Sequence, residues 1–249
     1  MKEKNKIIVI PDVHGRKFWK DIFETEAYET AHTVVFLGDY LDPYPDEGIT
    51  REDTIENFKK IIEFARKNEN VHLLYGNHDL EYAIGKDVCC CRCDFENYET
   101  IKGLFDENKD LFKLCYNIGV NDKLIVFSHA GFHPLWVEKW KITPNNINSY
   151  ADDEVKFDKL RFALCDFSFY RGGYNSAGSV VWSDLREFFD VELPVKYEQI
   201  VGHTMLNGDR PIRIKKKITC IDLSKPFVVN EYGDLEHIDG SKAVITELR

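Results

Sequence analysis

Short runs of apolar, often β-branched residues recur along the chain, and stretches with a helical pattern lie between several of them. Runs of this length and composition are typical of buried β-strands. The runs that we interpret as strands are Ile7–Ile10, Thr33–Leu37, Val71–Tyr75, Leu124–Phe127 and Ile200–Val201. Strands that alternate with helices predict a fold of the α/β class.

The clearest helical pattern begins at Thr50, which has Asp53 three residues later in the arrangement of a capping box. The apolar residues that follow at the spacing of one helix face are Ile55, Phe58, Ile62 and Ala65. Similar patterns predict helices at about residues 16–27 and 97–108.

The pattern changes to short strands and tight turns after about residue 210. We expect strands at Ile218–Leu223, Phe227–Val229 and Ala243–Thr246, with a turn at Gly233–Asp234. A β-rich end after strand–helix alternation predicts mixed rather than purely parallel sheets. Since no internal repeat, low-complexity tract or flexible linker interrupts the sequence, we expect one domain over residues 1–249.

Each predicted strand of the first group is followed at once by aspartate, asparagine or histidine. The motifs are Pro11-Asp12-Val13-His14-Gly15, Gly38-Asp39-Tyr40-Leu41-Asp42, Gly76-Asn77-His78-Asp79, Ser128-His129 and Gly202-His203. In open α/β sheets, ligands bind beyond the carboxyl ends of the strands. Imidazole, carboxylate and amide groups suit divalent metals of intermediate hardness. The pattern therefore favours a metal site at one sheet edge.

Taken alone, most of these motifs have a simpler interpretation, and Gly76-Asn77-His78-Asp79 is the stronger signal. An Asp-x-His or a Gly-Asp-x-x-Asp sequence is more often part of a turn or of a capped helix. A single histidine after a strand is more often a buried residue with its hydrogen bonds satisfied. The occurrence of all these motifs in order, each at an equivalent strand end, favours the metal site over these alternatives.

Together the motifs resemble those of the calcineurin-like metallophosphoesterases, in particular the phosphoprotein phosphatases and the symmetrical dinucleoside-tetraphosphate hydrolases. The resemblance spans residues 12 to 203. It implies a four-layer α/β/β/α sandwich, in which two mixed β-sheets pack face to face with helices outside. It also implies two divalent metal ions at one sheet edge. Manganese is the first choice, and Fe, Zn, Co or Ni are alternatives because mixed oxygen and nitrogen ligands do not select one metal.

The resemblance also implies which residues hold these ions. The ligands of the first metal would be Asp12, His14 and Asp39. The ligands of the second metal would be Asp39, Asn77, His129 and His203. Asp39 would bridge the two ions, because a carboxylate has two oxygens. A water between ions that lie about 3.5–4 Å apart is the expected attacking group.

His78 and Asp42 would carry the acid chemistry. By resemblance, His78 is not a metal ligand and protonates the departing alkoxide. Asp42 would hold the imidazole so that the proton stays on the useful nitrogen. General acid catalysis of this kind typically contributes about 10²–10⁴-fold to the rate.

Arginines that bind the substrate phosphate are harder to identify. Protein phosphatases usually have an arginine directly after the second aspartate of the Gly-Asp-x-x-Asp motif, where this chain has Pro43. We expect Arg171, which precedes two glycines, and Arg186, in a tryptophan-containing segment before His203, to bind phosphate instead. The alternative is that both form ordinary ion pairs with acidic residues.

The composition limits the classes of partner. The formal net charge is −10 and the pI is about 5.3. A broad electrostatic interaction with nucleic acid or with an anionic membrane is therefore not expected. The first apolar run is shorter than the ~7–15 residues of a signal-peptide core, and no run approaches the ~20 residues of a membrane span. We expect a cytoplasmic protein.

The seven cysteines do not suggest a disulfide framework. They include a cluster at Cys89, Cys90, Cys91 and Cys93, which could bind zinc or act in redox chemistry. Structural zinc sites use separated cysteine pairs, and adjacent cysteines would strain a tetrahedral ion. A loop over the site, or burial of small residues, is the favoured interpretation.

The expected activity is hydrolysis of a phosphomonoester by direct attack of water, without a phosphoenzyme. A phosphoprotein is the first choice of substrate. A dinucleoside polyphosphate or a cyclic nucleotide is the alternative within enzymology. A non-catalytic binding protein with the same fold is a remote alternative, because all the expected ligands, His78 and Asp42 are present.

Overall fold

The computed structural model describes residues 6–85, 92–151 and 153–248, and the chain forms two compact units. The first unit comprises Met1–Lys113 and Ser224–Lys242, and the second comprises Leu114–Leu223 and Ala243–Arg249. Each unit therefore combines segments that lie far apart in the sequence. The expectation of one domain over residues 1–249 stays a prediction.

The regular elements are as follows. The strands are β1 (Lys6–Ile10), β2 (Ala31–Phe36), β3 (Val71–Leu74), β4 (Phe112–Lys113), β5 (Cys115–Val120), β6 (Lys123–Ser128), β7 (Tyr197–Val201), β8 (Ile212–Ile214), β9 (Ile218–Cys220), β10 (Phe227–Val229), β11 (Leu235–His237) and β12 (Thr246–Leu248). The α-helices are α1 (Glu26–Thr30), α2 (Arg51–Lys67), α3 (Asn77–Ile84), α4 (Tyr98–Glu107), α5 (Pro134–Trp140), α6 (Ile147–Ala151) and α7 (Glu154–Leu164).

The first unit contains a six-stranded mixed sheet in the order β11-β10-β1-β2-β3-β4. Strands β1 to β4 are parallel to one another, whereas β10 runs antiparallel to β1 and to β11. Helix α2 begins after Thr50, whose side chain accepts a hydrogen bond from the backbone N–H of Asp53. The core of this unit joins Ile55 and Phe58 of α2 to apolar residues of the strands. The predicted helix and its cap are confirmed.

The second unit contains the other six-stranded mixed sheet, in the order β12-β8-β9-β7-β6-β5. Strands β6, β7 and β9 are parallel, and β5 and β8 run antiparallel to β6 and β9 respectively. Part of its core is formed by Phe188, Val201 and Ile218. Two mixed sheets accompanied by helices confirm the predicted α/β class.

Two predicted elements differ from the structure. The single helix expected at residues 16–27 is a 3-10 helix, Phe18–Glu24, followed by α1. The break lies at Thr25, because its backbone is extended and its side chain accepts the Tyr28 N–H as the cap of α1. The last strand begins at Thr246 and not at residue 243, since pairing with β8 starts there.

Within the described ranges, no helix has both the length and the apolar character needed to cross a lipid bilayer.

Candidate active site

The first unit brings three of the predicted motifs to one edge of its sheet. Strands β1, β2 and β3 are adjacent and parallel, so their carboxyl ends lie side by side. Ligand atoms of His14, Asp39 and His78 lie within 4.8 Å of one another. The structure therefore brings residues of these three strand-end motifs together.

The loops after β1 and β2 are joined through the backbone. The carbonyl oxygen of Asp39 accepts hydrogen bonds from the N–H groups of Val13 (3.0 Å) and His14 (2.7 Å). The N–H of Gly15 donates to the carbonyl of Tyr40 at 3.0 Å. These backbone hydrogen bonds fix the Asp12–His14 loop relative to the Asp39–Asp42 loop.

Two glycines allow the loops after β2 and β3 to approach closely. A Cβ atom on Gly38 would lie 2.3 Å from the backbone nitrogen of Gly76, and Gly38 has a φ of +105°. A Cβ atom on Gly76 would lie 2.1 Å from Oδ1 of Asp39. Because no side chain fits at either position, glycine is required for Asp39 to reach the start of α3.

Asp79 links the loops after β2 and β3, a role that was not predicted from the sequence. Its Oδ2 accepts the N–H groups of Asp39 (2.7 Å) and Gly76 (2.8 Å), and its Oδ1 accepts that of Tyr40 (3.0 Å). Burial and the neighbouring Asp39 carboxylate raise the pKa of Asp79 well above its usual range, and the backbone donors act against this. The spacing from Gly76 is that of a residue that caps a helix start, which could have indicated this role.

The backbone is strained at the predicted site residues. His14, Asp39 and Asp42 have φ angles of 44°, 51° and 57°, in the left-handed region that residues other than glycine rarely adopt. Such strain persists where the surrounding structure fixes it, and it is concentrated at functional sites. In the first unit the hydrogen bonds of Asp39 and Asp79 supply this constraint.

His14 and Asp39 have the arrangement of metal ligands. His14 Nδ1 donates to the carbonyl of Leu41 at 2.7 Å, so the lone pair of the neutral ring lies on Nε2. Burial, followed by the charge of His78, lowers the pKa of His14 well below its usual range and keeps the ring neutral. Its Nε2 lies 3.4 Å from Oδ2 of Asp39. A metal-binding histidine commonly donates its second ring nitrogen to a backbone carbonyl in this way.

The environment of Asp39 also suits a cation. Its Oδ1 accepts the backbone N–H of His78 at 2.9 Å. Burial nevertheless raises the pKa of Asp39 above its usual range. A bound cation would favour the charged carboxylate and offset this burial. The donor types present at this edge therefore fit a divalent metal ion.

Asp12 and Asn77 complete the predicted ligands of the first unit. Both side chains are buried. Asp12 lies in the loop directly after β1, and Asn77 is the first residue of α3. Their role as ligands stays a prediction.

His78 and Asp42 form the predicted pair. His78 Nδ1 lies 2.7 Å from Asp42 Oδ2, and both residues are buried. The other oxygen, Asp42 Oδ1, accepts the hydroxyl of Tyr82 at 2.6 Å, and that hydroxyl accepts the Asp94 N–H at 2.6 Å. The role of Tyr82 was not predicted from the sequence, although its position one helical turn after His78 could have indicated that the two share a face of α3.

The second unit brings the remaining two histidines together. His129 directly follows β6, and His203 lies two residues after β7, its neighbouring parallel strand. His129 Nε2 and His203 Nδ1 are 3.0 Å apart, and the φ of His203 is 64°. His129 is buried and His203 is partly exposed. Two adjacent imidazoles are suitable metal ligands.

The two predicted arginines lie in the second unit and share one carboxylate. Arg171 Nε is 3.0 Å from Asp184 Oδ2, and Arg186 Nε is 2.7 Å from Asp184 Oδ1. Burial alone would raise the pKa of Asp184, but the hydrogen bonds from Arg186 hold that pKa below its usual range. Arg171 Nη2 also lies 3.0 Å from Thr204 Oγ1, next to His203. The ion pairs of the alternative interpretation are present, and phosphate binding by these arginines stays a prediction.

The structure describes one residue of the cysteine cluster, Cys93. Cys89, Cys90 and Cys91 lie outside the described residues, and Cys93 is buried as a free thiol. The preference for a loop or for simple burial therefore stays a prediction.

Known proteins resemble this chain in sequence and in fold. The family model for calcineurin-like phosphoesterase matches residues 5–207, which include parts of both units. Among solved structures, the chain is similar to a protein serine/threonine phosphatase from Saccharomyces cerevisiae, described as similar to human phosphatase PP5. That match has a TM-score of 0.51 and 15% identity, and it covers 92% of this chain and 73% of the other. No curated protein sequence matches.

Proposed function

We propose that this chain, which belongs to the calcineurin-like phosphoesterase family, hydrolyses phosphate monoesters by direct attack of water. Membership of this family supports a metal-dependent phosphoesterase. We further propose that the substrate is a phosphate monoester and that water is the attacking group. The observation that carries it is the pair of His78 and Asp42 at 2.7 Å, beside the donor atoms of His14 and Asp39. This set combines a proton donor with metal ligands in one place.

The ligand set follows the family resemblance. Asp12, His14 and Asp39 would hold one divalent ion. Asp39, Asn77, His129 and His203 would hold a second. When bound, such ions lower the pKa of a coordinated water and polarise phosphoryl oxygens. Manganese is our first choice of metal, and Fe, Zn, Co or Ni are alternatives, because mixed nitrogen and oxygen donors do not select one metal.

His78 acts on the leaving group in this proposal. Because Nδ1 is held by Asp42, the opposite nitrogen, Nε2, is the atom that delivers a proton to the departing alkoxide. Tyr82 holds the second oxygen of Asp42 and so limits rotation of that carboxylate. No serine or cysteine nucleophile is needed, and the products are an alcohol and inorganic phosphate.

A phosphoprotein is the first substrate class that we propose. It is supported by the similarity to the yeast serine/threonine phosphatase and by the motif order. The competing class is a phosphoanhydride or phosphodiester, such as a dinucleoside polyphosphate or a cyclic nucleotide. These substrates differ in the leaving group that His78 would have to protonate.

A substrate panel with Mn²⁺ tests the proposal. Phosphopeptides, p-nitrophenyl phosphate, dinucleoside tetraphosphate and cyclic nucleotides are compared at equal concentration, with Mn²⁺-free protein as the control. Release of inorganic phosphate from phosphopeptides supports the proposed class. If dinucleoside tetraphosphate is cleaved fast and phosphopeptides are not cleaved, the substrate class is a phosphoanhydride and not a phosphoprotein.

A further inference from the structure

A guanidinium group lies beside the proposed acid. Arg92 Nη2 is 3.3 Å from Nε2 of His78, the ring nitrogen on the opposite side from Asp42. We propose that Arg92 binds the phosphoryl group of the substrate at His78, an assignment that rests on the proposed function. This arginine lies within the cysteine cluster, between Cys91 and Cys93, and a role for Arg92 itself was not predicted from the sequence.

The position of Arg92 is fixed from two sides. Its Nε donates to the backbone carbonyl of Asp42 at 3.2 Å. The centre of its guanidinium lies 4.1 Å from the ring centre of Tyr44, which is the distance of a cation–π contact. The backbone of Arg92 has a φ of 74°, in the strained left-handed region. An anchored arginine loses less conformational freedom when it binds an anion than a mobile one does.

The geometry places one substrate oxygen within reach of both side chains. Hydrogen bonds from charged nitrogen to oxygen are about 2.7–2.9 Å long. Since Arg92 Nη2 and His78 Nε2 are 3.3 Å apart, an oxygen at such a distance from both completes a compact triangle. The oxygen that receives a proton from His78 is the leaving oxygen of the ester, and at this point it also meets the positive charge of Arg92. Arg92 therefore lies beside the phosphorus–oxygen bond that breaks, next to the phosphoryl group, and not at a distant part of the substrate.

The local charge favours such an arginine. The chain has a formal net charge of −10, and Asp12, Asp39 and Asp42 are buried at this sheet edge. The position after Asp42 is Pro43, so this loop itself supplies no cation there. Arg92 reaches Asp42 from a segment 50 residues further along the chain. The charge expected after Asp42 is thus supplied from a different loop.

A second arginine of the same unit provides a matched control. Arg51 and Arg92 both line a cavity of about 360 Å³ next to Asp42 and Tyr44. Arg51 is paired with two acids, since its Nη1 lies 3.0 Å from Asp94 Oδ1 and 3.1 Å from Glu96 Oε2. Substitution of either arginine by glutamine removes one positive charge from the cavity wall. Only Arg92 contacts His78.

The experiment measures binding of inorganic phosphate and turnover separately. Mn²⁺-loaded wild type, Arg92→Gln, Arg92→Lys and Arg51→Gln are titrated with phosphate by calorimetry and assayed with p-nitrophenyl phosphate. We expect Arg92→Gln to weaken phosphate binding and lower kcat/KM by about 10- to 100-fold, the range for lost hydrogen bonds to a charged group. Arg92→Lys should recover part of the phosphate affinity and part of kcat/KM. For Arg51→Gln, both quantities should stay within about twofold of the wild type. Metal content should not change, and each variant should still unfold cooperatively on heating.

The outcomes separate the two proposals. If Arg92→Gln binds phosphate as tightly as the wild type, or if Arg51→Gln loses as much, the assignment of Arg92 is overturned while ester hydrolysis stands. If phosphate binding depends on Arg92 but no ester is cleaved, the assignment stands and the proposed function fails. If the wild type binds no phosphate with Mn²⁺ present, both are overturned.

Discussion

His78 Nδ1 lies 2.7 Å from Asp42 Oδ2, although 36 residues separate them in the sequence. The contact forms because the turn after β2 and the start of α3 are joined through Asp39, Asp79 and two glycines. It fixes the orientation of the imidazole and directs Nε2 away from Asp42. The arrangement is that expected of a histidine that donates a proton to a leaving group.

Substitution of His78 by asparagine tests this role. We expect His78→Asn to bind metal as the wild type does, and to lower kcat for alkyl phosphates by about 10²–10⁴-fold. The loss should be smaller for p-nitrophenyl phosphate, because its leaving group needs less protonation. Steady-state kinetics with both substrates, together with elemental analysis, measure this. Equal losses for both leaving groups would remove His78 from the role of acid.

Tyr82 is expected to act through Asp42. Tyr82→Phe removes a hydroxyl that donates to Asp42 Oδ1 and accepts the Asp94 N–H, at a cost of about 1–3 kcal/mol in the free energy of unfolding. We also expect kcat to fall by about 10-fold as the carboxylate loses one partner. Tyr98→Phe is the matched control, since the buried Tyr98 hydroxyl donates to the Glu81 carbonyl. A similar fall in kcat for the control would mean that the effect of Tyr82 is one of stability alone.

Asp79 is expected to hold the loops of the first unit. In Asp79→Asn one oxygen becomes an NH₂ group, which meets a backbone N–H instead of accepting from it. We expect the free energy of unfolding to fall by about 1–3 kcal/mol, with weaker binding of Mn²⁺. Urea unfolding and Mn²⁺ titration measure the two effects. Exposed Asp21→Asn is the control, and unchanged Mn²⁺ affinity in Asp79→Asn would contradict a role in the site.

His72 on β3 is expected to make stability depend on pH. Burial, with a contribution from Lys113, lowers the pKa of His72 to about 4, against about 6.5 in an unfolded chain. Between these values the unfolded chain binds more protons, so the contribution is complete above about pH 6.5 and is lost as the pH falls towards 4.

The variant His72→Gln should therefore show a shallower loss of stability between pH 7 and 5. Because His72 is partly exposed, we expect a difference of about 1 kcal/mol or less. Urea unfolding at several pH values measures the slope, with exposed His32→Gln as the control. The same slope in wild type and His72→Gln would contradict the prediction.

The strand ends of the site were predictable because their pattern is local. Ile7–Ile10 has the composition of a buried strand, and the polar residues follow it directly. Neighbouring parallel strands then place their carboxyl ends side by side, whatever the conformation of the loops that connect them. The break at Thr25 was not predicted, because a helical pattern continues through it and only the cap geometry ends it. The two-residue strand β4 is too short to give any pattern.

Contacts between distant segments could not be read from the sequence. Tyr82 and Arg92 reach Asp42 over 40 and 50 residues respectively. No period or motif connects Arg92 with Asp42, since only folding brings the two residues together. The sequence also could not decide whether Arg171 binds phosphate or forms an ion pair, because only the folded chain shows that Asp184 lies next to it.

The metal content of the purified protein decides whether the chain binds two metal ions as proposed. The chain is incubated with Mn²⁺, freed of excess metal by gel filtration and analysed by plasma mass spectrometry, beside folded His14→Ala and exposed His32→Ala variants. We expect about two ions per wild-type chain, unchanged content in His32→Ala and a clear loss in His14→Ala. A folded wild-type chain that retains no divalent metal would contradict this expectation.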